Sequence, residues 1–227
     1  MNLVKSTLSE QIYQILRTDI LMQKIPFGER LTLKNLQARF DVSSTPIREA
    51  LTRLSEDELV VYYSNVGVKV IELSKEDLCE MYRFIGDMDA LAIRYASESP
   101  DQERLLKELE ENITYTKILD RKESLTEEET KQWIARSDRF HLMFYDYCGN
   151  SCLTRAAEKL RSRLSIFSNK YEASFETQKK IEAYHERIYE AYYKKEYETA
   201  VSLMQQHLKE SFTYAAACLD ERQKREG

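Results

Sequence analysis

Apolar residues in the stretch 30–63 recur at helical spacing in two short stripes, with a polar turn between them. The first stripe holds Leu33, Leu36 and Phe40, and the second holds Ile47, Leu51 and Leu54. The turn, residues 41–44, supplies Asp and Ser side chains that suit a helix N-terminus, and Pro46 follows where a first-turn proline is tolerated. Two helices joined by so short a turn predict a helix-turn-helix unit. The competing interpretation is a small helical subdomain with no role in nucleic-acid binding.

The residues on either side of this unit complete a larger domain. Residues 7–10, Thr-Leu-Ser-Glu, form a capping box that predicts a helix continuing to about residue 22. After the second helix, residues 59–73 alternate β-branched and aromatic positions around Ser64 and Asn65, with Gly67 just beyond, and this pattern predicts a β-hairpin. Three helices followed by a hairpin predict a winged helix-turn-helix domain over residues 1–73.

From residue 74 onward the apolar positions follow only helical periods. Ser74 and the acidic residues behind it indicate a helix start, and we place the domain boundary there. The predicted helices span 75–98, 101–121, 126–148, 151–174, 177–194 and 196–221. They predict an all-helical bundle of about six or seven helices over residues 74–227, so the chain as a whole is expected to be mainly α.

Composition agrees with a helical fold and limits the class of protein. The 227 residues include 5 Gly and 3 Pro, which leaves little room for turns. With no signal-peptide pattern and no run of about 18 apolar residues, we expect a soluble, cytoplasmic protein with no membrane partner. The four cysteines form no C-x-x-C pair, and we expect buried, inert thiols rather than metal ligands or a redox switch: Cys79, Cys148, Cys152 and Cys218.

The net charge of −5 is unevenly distributed along the chain. Residues 1–72 hold nine basic and nine acidic residues, whereas residues 73–227 hold 25 basic and 30 acidic ones. The first domain is therefore neutral, and attraction to phosphate depends on where its cations lie. Six of them could gather on one face: Lys5, Lys34, Arg39, Arg48, Arg53 and Lys69.

The chain has only three histidines, and each falls on the apolar face of a predicted helix. They are His141, His185 and His207, with Asp138 one helical turn from His141. Three inward imidazoles from three helices could bind a metal ion inside a bundle, and Asp138 could add a carboxylate. Three separate core histidines, each hydrogen-bonded to its own partner, are the alternative that spacing alone favours.

These residues together resemble the GntR family of transcription regulators, in its FadR-like branch with a metal-binding helical FCD effector domain. The resemblance covers nearly the whole chain. In the first domain it rests on residues 42–51, VSSTPIREAL, followed by Arg53-Leu54 and Leu59-Val60. In the second domain it rests on Phe140-His141, on Gly149-Asn150, and on the positions of His185 and His207.

The resemblance implies a divalent metal held by an acidic residue and the three histidines. Zinc is the expected ion, with nickel or manganese as alternatives. The family's acidic or amide ligand usually lies four residues before the first histidine, and that position here is Ser137. Asp138 lies three before and shares the helix face, so Asp138, Ser137 or water remain alternatives for the fourth ligand.

The resemblance also assigns DNA contacts in the first domain. Lys34 and Arg48 match contact positions of the family, Ser44 and Thr45 lie at the tip of the recognition helix, and Gly67 matches the wing glycine. The family commonly has Arg where this chain has Ser44, and Arg is the usual bidentate reader of guanine. The operator is therefore expected to differ at the base which that arginine reads.

We thus expect a DNA-binding regulator that is not an enzyme and acts as a repressor. As a homodimer it would bind a palindromic operator in double-stranded DNA, with a small organic acid as effector. Arg83, Arg94 and Arg161 are candidate partners for that acid, although solvated surface charges are the simpler interpretation of each. A metalloenzyme-like second domain and a pure metal sensor are the alternatives.

Overall fold

The structure is a computed structural model that describes residues 6–22, 24–63, 67–172 and 174–226. The chain divides into two compact units between Ser74 and Lys75. The first unit is a winged helix-turn-helix and the second is an all-helical bundle, which confirms the predicted mainly α fold class.

The first unit contains three helices and a small antiparallel sheet. The helices are α1 (Leu8–Leu21), α2 (Leu33–Phe40) and α3 (Ser44–Glu56), and the strands are β1 (Arg30–Leu31), β2 (Val60–Tyr63) and β3 (Gly67–Val70), in the order β1-β3-β2. The short strand β1 was not predicted, because two residues are too few to show an alternating pattern. The predicted hairpin turn at Ser64 and Asn65 lies outside the described residues.

The turn between α2 and α3 has the local geometry that its residues favour. Asp41 ends α2 in a left-handed conformation (φ 51°), and its N–H donates to the Gln37 carbonyl. Ser43 is the N-cap residue of α3, but its side chain makes no capping hydrogen bond. Ile47, Leu51 and Leu54 are buried beneath α3, so the opposite face of this helix is left exposed.

The second unit is built from six helices among the described residues. They are α4 (Lys75–Ala96), α5 (Gln102–Asp120), α6 (Glu127–Tyr147), α7 (Ser151–Tyr171), α8 (Phe175–Tyr193) and α9 (Tyr197–Glu226). A capping box of Thr126 and Glu129 begins α6, and Trp133 in its second turn is completely buried. Helix α4 packs against α6, α7 and α9, so polar side chains on its inner face meet those of three other helices.

Three of the four cysteines are less buried than the sequence predicted. Cys148 is buried, but Cys79 and Cys152 are exposed and Cys218 is half-buried. The exposed thiols lie on the outward faces of α4 and α7, where helical periodicity alone does not decide burial. Within the described residues, no helix combines the length and apolar character needed to cross a membrane.

Candidate DNA-contacting surface and metal centre

Helix α3 carries three of the five residues that are predicted to contact DNA. Ser44 is the first residue of the helix and is half-buried, whereas Thr45 and Arg48 are exposed. Lys34 is exposed in the first turn of α2, and Gly67 begins β3 with a φ of 98°, a conformation that side chains disfavour. The structure thus places all five residues on the surface of the first unit or at its wing.

The six cations that could share one face differ in whether an acidic residue pairs with them. Arg39 forms an ion pair with Asp19, Arg53 with Glu10, and Lys69 with Glu72. A carboxylate thus accompanies three of the six cations, which reduces the net positive charge that they could bring to a common face. Lys34 and Arg48 have no ion pair with any residue in the described ranges, and Lys5 lies outside those ranges.

In the second unit the three histidines meet at one buried point. His141 comes from α6, His185 from α8 and His207 from α9, and one ring nitrogen from each lies within 4.8 Å of the other two. The Nε2 atoms of His141 and His207 are 3.3 Å apart. Phe140 stacks on the His185 ring with centroids 4.1 Å apart, which fixes the plane of that imidazole. We call this group the histidine triad.

Asp89 of α4 determines which nitrogen of His141 faces the triad. Its carboxylate lies 2.9 Å from the His141 Nδ1 and also accepts hydrogen bonds from Tyr145 and Arg161. Burial alone would raise the pKa of Asp89, but Arg161 and His141 hold it well below its usual value. An ionised carboxylate can only accept, so Nδ1 carries the hydrogen and the lone pair of a neutral His141 is on Nε2.

The environment favours the neutral form of all three imidazoles. Burial is the largest cause that lowers the pKa of each, and the charge of Arg161 acts in the same direction, whereas Asp89 raises the pKa of His141 and His207 by a smaller amount. The His185 Nε2 is buried and has no hydrogen-bond partner among the described atoms. A buried nitrogen without a partner is costly, and neutral imidazole is the form that binds a metal ion.

These observations fit a metal ion better than three independent core histidines. Tetrahedral zinc with bonds of about 2.0–2.1 Å separates its nitrogen ligands by roughly 3.3 Å, close to the His141–His207 distance. Metal-binding histidines usually donate their second ring hydrogen to a carboxylate, as His141 does to Asp89. The triad could therefore hold a divalent metal ion.

A small cavity of about 30 Å³ adjoins the triad. Its wall includes Asp138, Glu172 and Arg161, together with four serines, Ser137, Ser165, Ser168 and Ser211. Glu172 is buried, and desolvation followed by the charge of Asp138 raises its pKa well above the usual value. A cavity of this size has room for about one water molecule.

Asp138, predicted as a metal ligand, lies on the wall of this cavity rather than within the triad. Among the described residues, the group of potential ligand atoms within 4.8 Å of one another consists of the three histidines. Ser137 is buried, and its hydroxyl is a hydrogen-bond partner of the Glu172 carboxyl. The carboxylate that contacts the triad is Asp89, on another helix.

The three arginines predicted to bind an effector lie in different places. Arg161 reaches the triad and lines the small cavity, where it pairs with Asp89. Arg94 forms a two-point ion pair with Glu198 on the surface, with N–O distances of 2.8 and 2.7 Å. Arg83 lines a separate cleft of about 370 Å³ between α4 and α9. The structure brings only Arg161 to the histidines.

Sequence reasoning missed Asp89 and Glu172. Asp89 lies four residues from both Ile85 and Ile93, so an acidic residue interrupts the apolar face of α4. The same argument that singled out the histidines would have identified it. Glu172 is the C-cap residue of α7 and falls within the predicted span 151–174, but an acidic residue at a helix end usually lies in solvent, so the pattern did not single it out.

Comparison with known protein families agrees with both units. Residues 8–70 match the model for bacterial regulatory proteins of the gntR family, and residues 80–210 match the model for the FCD domain. The second match alone spans more than half of the chain.

Individual relatives are transcriptional regulators. The chain is 26% identical over 157 residues to the HTH-type transcriptional repressor GlaR of Escherichia coli K12, covering 65% of this chain and 66% of that protein. It is 25% identical over 214 residues to the HTH-type transcriptional regulator YdhC of Bacillus subtilis, covering 93% and 92%. The solved structure of E. coli McbR/YncC shares the fold with a TM-score of 0.72 and 22% identity, covering 95% of this chain and all of that one.

Proposed function

The chain belongs to the gntR family of bacterial regulatory proteins and carries an FCD domain, and on that premise we propose that this transcription regulator is a metal-dependent repressor. Relatives and structural neighbours are regulators and not enzymes. Two of the relatives, GlaR and the E. coli protein RspR, are described as repressors. The observation that carries the metal dependence is the His185 Nε2, which is buried beside two other imidazoles and has no described partner.

Operator recognition is assigned to the exposed face of α3 and to the residues beside it. Thr45 and Arg48 project from the first turns of α3, where a recognition helix contacts base edges in the major groove. Ser44 contributes a short hydroxyl that can pair with more than one base. Lys34 binds the phosphate backbone, and Gly67 lets the wing approach DNA closely.

The histidine triad would hold the metal through His141, His185 and His207. Three neutral nitrogen ligands favour zinc, with nickel or manganese as alternatives. The metal would supply a positive charge with coordination positions that the protein does not fill. Asp89 holds His141 in the required tautomer, and Arg161 balances the charge of Asp89. Asp138 is close enough to line the adjoining cavity, so a water molecule or a movement of Asp138 would supply the fourth ligand.

A small organic acid is the proposed effector, bound at the remaining coordination positions beside Arg161. The cavity of about 30 Å³ is too small for it as the structure stands, so binding requires the side chains of the cavity wall to move. Such a movement would connect effector binding to α7, which carries Arg161. The same small volume favours the second candidate function, a sensor that responds to the metal alone.

Pairing of two copies is proposed through α4. Phe84, Leu91 and Tyr95 recur along one stripe of this helix and are exposed by 58%, 39% and 39%. Large apolar side chains grouped in this way are typical of interfaces between proteins. A homodimer would present two copies of α3 to a palindromic operator, with half-sites about one helical turn apart.

The test of metal dependence uses a His185→Ala variant and a matched control. Thr116→Ala removes a buried polar group from a neighbouring helix outside the triad. We expect elemental analysis to find about one metal ion per chain in the wild type and the control, and little in His185→Ala. The affinity for an operator selected from random DNA should change when a chelator removes the metal from the wild type. Unchanged metal content in His185→Ala would refute the proposed ligand set.

A panel of small carboxylates added to the metal-loaded protein separates the two candidates. Release of operator by one of these acids supports the effector. A response to metal with no response to any acid selects the metal sensor.

A further inference from the structure

The depression between α3 and the wing contains a cation that the sequence did not single out. It has a volume of about 360 Å³, and its lining includes Arg30, Thr32, Arg48, Tyr62 and Gly67. We call it the α3–wing depression. Arg30 and Arg48 come from different elements, β1 and α3, so the fold brings two guanidinium groups to one concave surface.

Arg30 differs from four other cations of the first unit in having no acidic partner among the described residues. Lys24 and Arg39 share Asp19, Arg53 pairs with Glu10, and Lys69 pairs with Glu72. Arg30, Lys34 and Arg48 form no ion pair with any residue in the described part of the chain. In the described part of the chain, the two cations that line the depression, Arg30 and Arg48, therefore have no acidic partner, whereas Arg53 of α3 and Lys69 of β3 are paired with carboxylates.

The fold also holds Arg30 in position. Strand β1 pairs with β3, with Arg30 opposite Lys69 and Leu31 opposite Val68. A Cβ atom at Gly67 would lie 4.0 Å from the Arg30 Nε, an ordinary van der Waals distance, so the exposed Arg30 side chain lies beside the first residue of the wing strand. The Thr32 hydroxyl accepts from the Asn35 N–H and still has its own hydrogen to donate.

We propose that Arg30 binds a backbone phosphate of DNA in the α3–wing depression, a contact that rests on the proposed operator binding. A recognition helix in the major groove and a wing at the adjacent minor groove are separated by one sugar–phosphate backbone. That backbone faces the depression. Arg30 lies on β1 rather than on the first turn of α3, so it contacts phosphate and not base edges. The unit is neutral in total, but the cations without a partner form its DNA-contacting surface.

The test compares Arg30→Gln with Arg30→Lys and with Lys24→Gln. The first variant removes the charge, the second keeps it, and the third removes an exposed charge elsewhere in the same unit. The probes are an operator duplex selected from random DNA with the wild-type protein and a mixed-sequence duplex of the same length. Affinity for each is measured over a range of KCl concentrations, and circular dichroism checks that each variant is folded.

We expect Arg30→Gln to weaken binding to both duplexes by a similar factor, about 10-fold. The plot of log affinity against log salt should become less steep, by about 1 for each DNA-binding unit on the duplex. Arg30→Lys should retain most of the affinity, and Lys24→Gln should behave as the wild type. If Arg30→Gln kept the affinity and the salt dependence of the wild type, the proposal would be wrong. It would also be wrong if the variant lost affinity for the selected duplex alone, because that result would indicate a contact with bases. Failure of the wild type to bind any duplex would instead overturn the proposed function itself.

Discussion

At the scale of single residues, Asp89 shows why the site could be predicted only in part. The three histidines were found because each lies on an apolar helix face, where a polar residue is conspicuous. The group that orients His141 comes from α4, 52 residues earlier in the chain, and no spacing rule connects the two. Asp138 was a reasonable candidate because it shares a helix with His141, but sharing a face does not decide which way a side chain turns.

Glu182 leads to a prediction about pH. This residue of α8 is 2% exposed, and burial raises its pKa to about 8. The pKa of Glu182 in the folded protein exceeds its value in the unfolded chain, so the folded state holds the proton more tightly. The stability that this proton provides is complete below about pH 4.5 and is lost as the pH rises towards about 8. The free energy of unfolding should fall across this range by at most about 1.4 kcal/mol per pH unit.

Glu182→Gln, which mimics the neutral acid, should remove this dependence. Urea unfolding at a series of pH values measures the free energy of unfolding. The variant should become more stable relative to the wild type as the pH rises. Glu190→Gln on the exposed face of the same helix is the control and should follow the wild type. Parallel profiles for Glu182→Gln and the wild type would show that Glu182 is ionised in the folded protein at neutral pH.

At the scale of elements, helix starts offer a direct comparison of two caps. Thr126 begins α6 with a complete capping box, whereas Ser43 begins α3 without a capping hydrogen bond from its side chain. Thr126→Ala should therefore cost about 1 kcal/mol of unfolding free energy, and Ser43→Ala less than about 0.5 kcal/mol. Thermal and urea unfolding of each variant, followed by circular dichroism, tests the difference. Equal losses would mean that Ser43 caps α3 in solution.

The helices themselves were predicted closely because their apolar faces have a strong period. The six predicted spans of the second unit each match one observed helix, with ends that differ by a few residues. Strand β1 was missed because its pairing with β3 depends on residues 37 to 39 positions away. Arg30 was overlooked for the same reason, since its importance follows from that pairing and from the absence of an acidic partner in the described residues.

At the scale of the whole molecule, the exposed stripe on α4 predicts the state of assembly. Phe84→Asp places a charge in the proposed interface, where burying it without a partner is costly. We expect the variant to sediment as a monomer at concentrations at which the wild type is a dimer. Ile118→Asp on α5 is the matched control, because Ile118 is also exposed, by 56%, but lies outside the stripe. A dimeric Phe84→Asp variant would place the interface elsewhere.

Trp133 gives the protein a built-in optical probe of one unit alone. It is the chain's single tryptophan, and the winged domain has none. Indole emission responds to the polarity around the ring, so the signal reports on the packing of α6 inside the bundle. His141 lies eight residues further along the same helix, roughly 12 Å away along its axis. Tryptophan fluorescence can therefore follow loosening of the bundle without a contribution from the DNA-binding unit, and no label is needed.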